Sequence, residues 1–172
     1  FTVDLDDVLA AFEKLPWVAE ARISRRWPDT LVVELVEHVP LAHWDGDKLV
    51  STAGEVFNAA SAAELPSLNG FDGSGREVAE AYRRYGEILG PLGLRIAELS
   101  LSPRRAWRLK TDSGLEVALG RKDAEARLRR FAAQYRKVAE RIGTAPAYVD
   151  LRYADGFAVR LPHAAQQSKK QS

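Results

Sequence analysis

The sequence predicts an α+β protein: a helix and two strands, followed by a mostly antiparallel β region that carries two helices. Three observations predict it. Apolar residues recur at helical spacing in residues 4–14, 75–90 and 123–142. Around these stretches lie short runs rich in Val, Leu and aromatics, bounded by Gly, Pro and Asp turns, as strands require. Finally, Leu15-Pro16-Trp17-Val18, Arg26-Trp27-Pro28-Asp29 and Glu37-His38-Val39-Pro40 each stand where one element must give way to the next.

The elements follow in order. Leu5, Val8, Leu9, Phe12 and Leu15 form the stripe of the first helix, with Asp4 as N-cap and Asp6 and Asp7 at the positive end of its dipole. Pro16 lacks an N–H and cannot continue that helix. Residues 18–25 and 30–37 read as strands joined by the Trp27-Pro28-Asp29 turn. In the second strand Leu31, Val33 and Leu35 point one way and Val32, Glu34 and Val36 the other. Pro40 ends it and marks a boundary, because proline is confined to strand ends and edges. Leu41-Ala42-His43-Trp44, Lys48-Leu49-Val50-Ser51 and Glu55-Val56-Phe57 then read as short strands around the Asp45-Gly46-Asp47 turn.

Residues 59–74 are small and polar and read as a connection, with Asp72 or Ser74 capping the next helix. That helix, 75–90, shows Val78, Tyr82, Tyr85 and Leu89 on one face and stops at Gly90-Pro91. Strands follow near 94–101, 105–111 and 115–119, the last two joined by Asp112-Ser113-Gly114. The helix over 123–142 buries Leu128, Phe131, Tyr135, Val138 and Ile142, with Arg127, Arg129, Arg130, Arg136 and Lys137 mainly off that stripe. Strands 147–153 and 157–161 close the fold around Ala154-Asp155-Gly156. The expected organisation is thus 1–40, 41–162 and a disordered Gln, Ser and Lys tail over 163–172.

Composition excludes several function classes. The 172 residues hold 25 basic and 24 acidic side chains, a net charge of +1, which argues against a nucleic-acid partner. The absence of Cys rules out a disulfide framework, a thiol nucleophile and a Cys-ligated zinc. With no Met present, Phe1 is expected to follow residues removed by processing or truncation. A membrane-spanning run of about 18 apolar residues is missing as well.

Catalytic constellations are also missing. His38 and His43 flank Pro40 and share no regular element, and His163 begins the tail. Ser100 and Ser102 lie outside any GxSxG elbow. Gly70-Phe71-Asp72-Gly73-Ser74-Gly75 lacks the Lys-Ser/Thr pair of a phosphate-binding loop. On a strand, Arg105 and Trp107 share one face and Arg104, Ala106 and Arg108 the other, so Trp107 is expected in the core and the arginines outside. A terminal strand with nothing after it to cover it suits a binding module rather than an enzyme, and neither cofactor nor metal is expected.

The order of these marks resembles the FtsQ/DivIB family of cell-division proteins, in its proteobacterial form. The resemblance is carried by Pro16-Trp17-Val18, Arg26-Trp27-Pro28-Asp29-Thr30-Leu31, Glu37-x-x-Pro40, Ala42-x-Trp44 and Leu49-Val50-x-x-x-Gly54-x-x-Phe57. A second block is Leu99-Ser100-Leu101-Ser102-Pro103-Arg104-Arg105-Ala106-Trp107, Leu119-Gly120-Arg121 and Arg127-Leu128-x-x-Phe131. A third is Tyr148-Val149-Asp150-Leu151-Arg152-Tyr153 with Gly156-Phe157-Ala158-Val159. Together they run from the first residues to about Pro162.

The resemblance implies a truncated POTRA domain over 1–40, a helix plus two strands lacking the first strand and helix of a full unit, and an FtsQ-type β domain over 41–162. It further implies the periplasmic region of a single-pass inner-membrane protein at the division septum, its transmembrane helix lying outside this chain. Such a protein is a non-catalytic scaffold that binds FtsB, and through it FtsL, and so helps regulate septal peptidoglycan synthesis by FtsW and FtsI. FtsK is a candidate contact of the POTRA region. A strand added to an uncovered edge is the expected binding mode. By motif position Arg152, Tyr153, Asp155, Gly156 and the strand Phe157 to Leu161, Val159 included, would carry the FtsB contact, and Arg104 or Arg105 would pair with acidic residues of the partner. Asp155 stands where relatives often have Ser, and Leu161 where enteric relatives have Trp. The rival readings are a POTRA-bearing chaperone or secretion module for extended clients, and a peptidoglycan-binding domain.

Overall fold

The computed structural model describes residues 9–12, 14–28, 30–153 and 156–162. Residues 9–12 are helical, and the rest of the expected first helix before them lies outside the described residues, as does the expected tail after Pro162. Strands β1 (Val18–Arg26) and β2 (Thr30–Glu37) pair antiparallel as a ribbon of their own. Its register sets Ala21 opposite Leu35 and Ile23 opposite Val33, so the apolar side of the ribbon is the one the alternation of β2 predicts.

The remaining strands form one nine-stranded sheet. They are β3 (Pro40–Trp44), β4 (Lys48–Ser51), β5 (Val56–Phe57), β6 (Ser67–Asn69), β7 (Ile96–Leu101), β8 (Trp107–Thr111), β9 (Glu116–Gly120), β10 (Tyr148–Asp150) and β11 (Ala158–Arg160). Their spatial order is β11-β10-β9-β8-β7-β6-β3-β4-β5. Helix α1 (Gly75–Leu89) connects β6 to β7 and helix α2 (Ala124–Ile142) connects β9 to β10. Both connected pairs are parallel, as a helical crossover requires, and β3 with β6 makes a third parallel pair. The other pairings are antiparallel, so the sheet is mixed with an antiparallel majority.

Strand β6 corrects the expectation that 59–74 is only a connection. Three residues between Pro66 and Gly70 are too few to show a period of two, yet Leu68 is fully buried in mid-sheet. Two smaller corrections concern turn chemistry. Ser74 does precede α1, but its hydroxyl donates to the Phe71 carbonyl at 2.6 Å instead of capping the helix. Arg104 and Arg105 lie in the β7–β8 turn, not on a strand, and Arg105 has φ 59, so the predicted facial split of these arginines does not hold.

The sheet buries one face beneath both helices. Leu68, Leu99, Leu109, Val117 and Val149 stand opposite one another on successive strands and form a continuous apolar row. Val78, Tyr85 and Leu89 of α1 and Leu128 and Phe131 of α2 are buried in the same core. Burying these side chains contributes about 1.5–3 kcal/mol each. Tyr85 meets Trp107 edge-on at 5.8 Å, and burial pushes its phenol up to about 12. Tyr135, Val138 and Ile142 continue the α2 stripe only half-buried. The helices are tied together by Arg84, which reaches Glu125 at 3.2 Å. At the far edge, His38 stacks on Phe57 at 4.5 Å and Trp17 meets the same ring edge-on at 5.4 Å, joining the β1–β2 ribbon to β5.

Candidate partner-binding edge

Strand β11 is the outermost strand of the sheet beside β10, and all three of its residues are exposed. An edge strand leaves one line of backbone N–H and C=O groups unpaired, which is a template for another extended chain. The sequence reaches this arrangement by local means. Gly156 returns the chain after β10, and Phe157 turns inward to meet Phe131 of α2 edge-on at 5.5 Å, fixing the start of β11 against the core. Val159 then extends the buried apolar row by one strand, opposite Val149, where it is 36% exposed.

Tyr153 and Leu161 are exposed at 58% and 39%. With Val159 they place three large apolar side chains in solvent along one short stretch of chain. Of the expected contact residues, Asp155 lies outside the described residues, and Gly156 is exposed. Phe157 is half-buried against the core.

The arginines divide into two settings at one end of the sheet. Trp107 at the start of β8 faces Gly120 at the end of β9, and Ala118 of β9 faces Asp150 of β10. That register carries the Arg104–Arg105 turn and Arg152 to the same end. Arg105 is engaged within the chain: it donates to Glu77 at 2.6 Å, and its guanidinium lies 5.9 Å from the Phe71 ring. Arg104 is exposed on the turn beside it.

Arg152 is held by Asp150. Its Nε donates to Oδ1 at 2.8 Å and its Nη2 to Oδ2 at 2.6 Å, a forked arrangement that fixes the guanidinium plane. The backbone N–H of Arg152 donates to the same carboxylate at 3.0 Å. The Arg152 hydrogen bonds hold the Asp150 carboxyl below the usual carboxylate range, and the carboxylate in turn raises Arg152. Asp150 is buried while the Arg152 side chain is 60% exposed, so the pair presents a fixed cation to solvent.

Gly120 completes the setting. It has φ +80, and a Cβ there would come within 3.1 Å of the Arg152 side chain and 3.3 Å of Arg127 Nη1. Asp150 and Gly120 were both missed as site residues by sequence reasoning. The signal for Asp150 was present: Asp-x-Arg at a strand end puts both side chains on one face. Gly120 stood only among the marks of the resemblance, since the need for glycine there appears only when β9 and the chain after β10 are brought together.

Among the described residues, no group of three or more His, Asp or Glu side chains is gathered to hold a metal ion, and no helix is long and apolar enough to cross a membrane. The family model for the C-terminal region of the cell division protein FtsQ/DivIB matches residues 42–152. The model for the FtsQ-type POTRA domain matches residues 1–38. The cell division protein FtsQ of Burkholderia pseudomallei is 43% identical, over 93% of this chain and 67% of its own length. That of Nitrosospira multiformis is 42% identical over 92% and 67%, and that of Shewanella oneidensis 42% over 92% and 62%. The chain therefore spans about two thirds of the length of these relatives. Two family models in chain order, and relatives that follow nearly all of this chain, establish that it belongs to the FtsQ/DivIB family of cell-division proteins.

Proposed function

We propose that this chain is the periplasmic, non-catalytic part of a single-pass inner-membrane scaffold of the divisome, and that it binds FtsB by strand addition at β11. Residues 1–40 serve as the POTRA unit and 41–162 as the FtsB-binding unit. FtsL joins through FtsB, and the assembly acts on FtsW and FtsI to regulate septal peptidoglycan synthesis, with FtsK as a contact of the POTRA unit. One observation carries the reading. The buried row of the sheet runs outward to Val159 on a strand that is the edge of the sheet among the described residues, with Leu161 just past its end and the exposed Tyr153 and oriented Arg152 just past the end of β10. Main-chain hydrogen bonds to β11 supply affinity, and these side chains supply selectivity.

Calorimetric titration with a soluble FtsB segment tests it. Tyr153→Ala and Arg152→Glu each weaken binding roughly tenfold or more, as removal of a central interface residue does. Circular dichroism should show the fold of both variants intact. Equal affinity for wild type and both variants would refute the site.

A further inference from the structure

The register of the sheet orders the side chains of its helix-free face into rows. One row runs Glu98, Lys110, Glu116, Tyr148, Arg160 on strands β7 to β11. Its charges alternate, negative, positive, negative, then an aromatic ring, then positive. Lys110 reaches Glu98 at 3.6 Å, and the Arg160 guanidinium lies 4.8 Å from the Tyr148 ring centroid. Arg160 is the outermost member, exposed on the edge strand, with its aromatic neighbour behind it and, among the described residues, no strand in front. Directly behind this row is the apolar one, Leu99, Leu109, Val117, Val149, Val159, which also ends at the edge.

We infer that Arg160 is a specificity residue of the edge, and that the segment pairing with β11 carries a carboxylate opposite Arg160 and an apolar side chain opposite Val159. The inference rests on the strand-addition reading and adds the chemistry and register of the partner. Two physical facts support it. Directly opposed side chains on neighbouring strands interact, opposite charges favourably and like charges unfavourably. The contact with the Tyr148 ring also restricts the guanidinium, which reduces the ordering cost of pairing it.

The test uses synthetic extended peptides of alternating apolar and polar residues that differ at one outward position, which holds Glu, Gln or Lys. Each is titrated calorimetrically into the wild-type chain and into Arg160→Glu and Arg160→Gln, with thermal melts to show that both variants fold. Wild type should prefer the Glu peptide to the Lys peptide roughly tenfold, a cross-strand pair of each sign supplying about half of that on a logarithmic scale. Arg160→Glu should reverse the order, and Arg160→Gln should abolish the preference. Binding that ignores the charge of the peptide overturns the role of Arg160 and leaves strand addition standing. Failure of wild type to bind any of the peptides, or the soluble FtsB segment, overturns both.

Discussion

Replacing Phe157 by Ala should detach β11 without unfolding the protein. The ring is half-buried, and complete burial of a phenylalanine contributes about 1.5–3 kcal/mol, so its area contributes about 1 kcal/mol here. The edge-on contact with Phe131 at 5.5 Å adds about 1 kcal/mol more. Otherwise β11 is joined to the sheet by the three residue pairs from Tyr148–Arg160 to Asp150–Ala158 and by the Ala147 N–H donating to the Arg160 carbonyl at 3.0 Å. Val149 and Phe131, both fully buried, keep the core closed from the other side. Losing about 2 kcal/mol from a strand docked this lightly raises its open population by up to about 30-fold. Affinity for a strand-adding partner falls as the docked fraction falls, since only the docked form is competent to bind, and the loss becomes large once the open form predominates. Hydrogen exchange read by mass spectrometry checks the first step, and titration with the soluble FtsB segment checks the second. The amides of β11 should exchange faster while those of β7, β8 and β9 keep their protection. Uniformly faster exchange would refute the reasoning by making Phe157 part of the global core. Lost binding with β11 still protected would refute it too, since Phe157 would then touch the partner directly.

Two further outcomes follow from the same geometry. Asp150→Asn removes a carboxylate that is depressed in the folded state, and such a group stabilises above its unfolded value and loses that contribution as pH falls through its folded one. The stability advantage of wild type over the variant, measured by urea titration, should therefore be full at neutral pH and shrink below about pH 4, and an advantage independent of pH would contradict it. Gly54 and Gly46 both have positive φ, but a Cβ at Gly54 would lie 2.4 Å from the Arg76 Cα, whereas at Gly46 it would meet open space. Gly46→Ala should cost about 1 kcal/mol of backbone strain, and Gly54→Ala clearly more, because the start of α1 must move; equal costs in denaturant unfolding would refute the close packing.

What could be read in the sequence followed from local chemistry. The Asp45-Gly46-Asp47 and Asp112-Ser113-Gly114 turns sit where Gly and Asp predict them, and the stripes of α1 and α2 face the sheet as their spacing requires. Features set by distant parts of the chain were not legible. Strand β6 exists because β3 and β7 stand on either side of three residues that have no periodicity of their own. Arg105 is rotated off the strand by a turn with φ 59 and drawn to Glu77 on α1, a partner 28 positions away.

The same division explains the candidate edge. Family resemblance marked Arg152 and Tyr153, and alternation marked 157–161 as a strand, but neither distinguishes a side chain that faces a partner from one that holds the strand. Register adds the place of each side chain in the sheet. Phe157 lies before the strand and turns to Phe131, Val159 ends the apolar row, and Arg160 ends the charged one. Arg160 stood inside the expected contact strand with no role of its own, because an isolated strand does not say what its outward side chains meet. Only its place after Glu98, Lys110, Glu116 and Tyr148 gives that charge a direction, and the direction points to the strand that would come next.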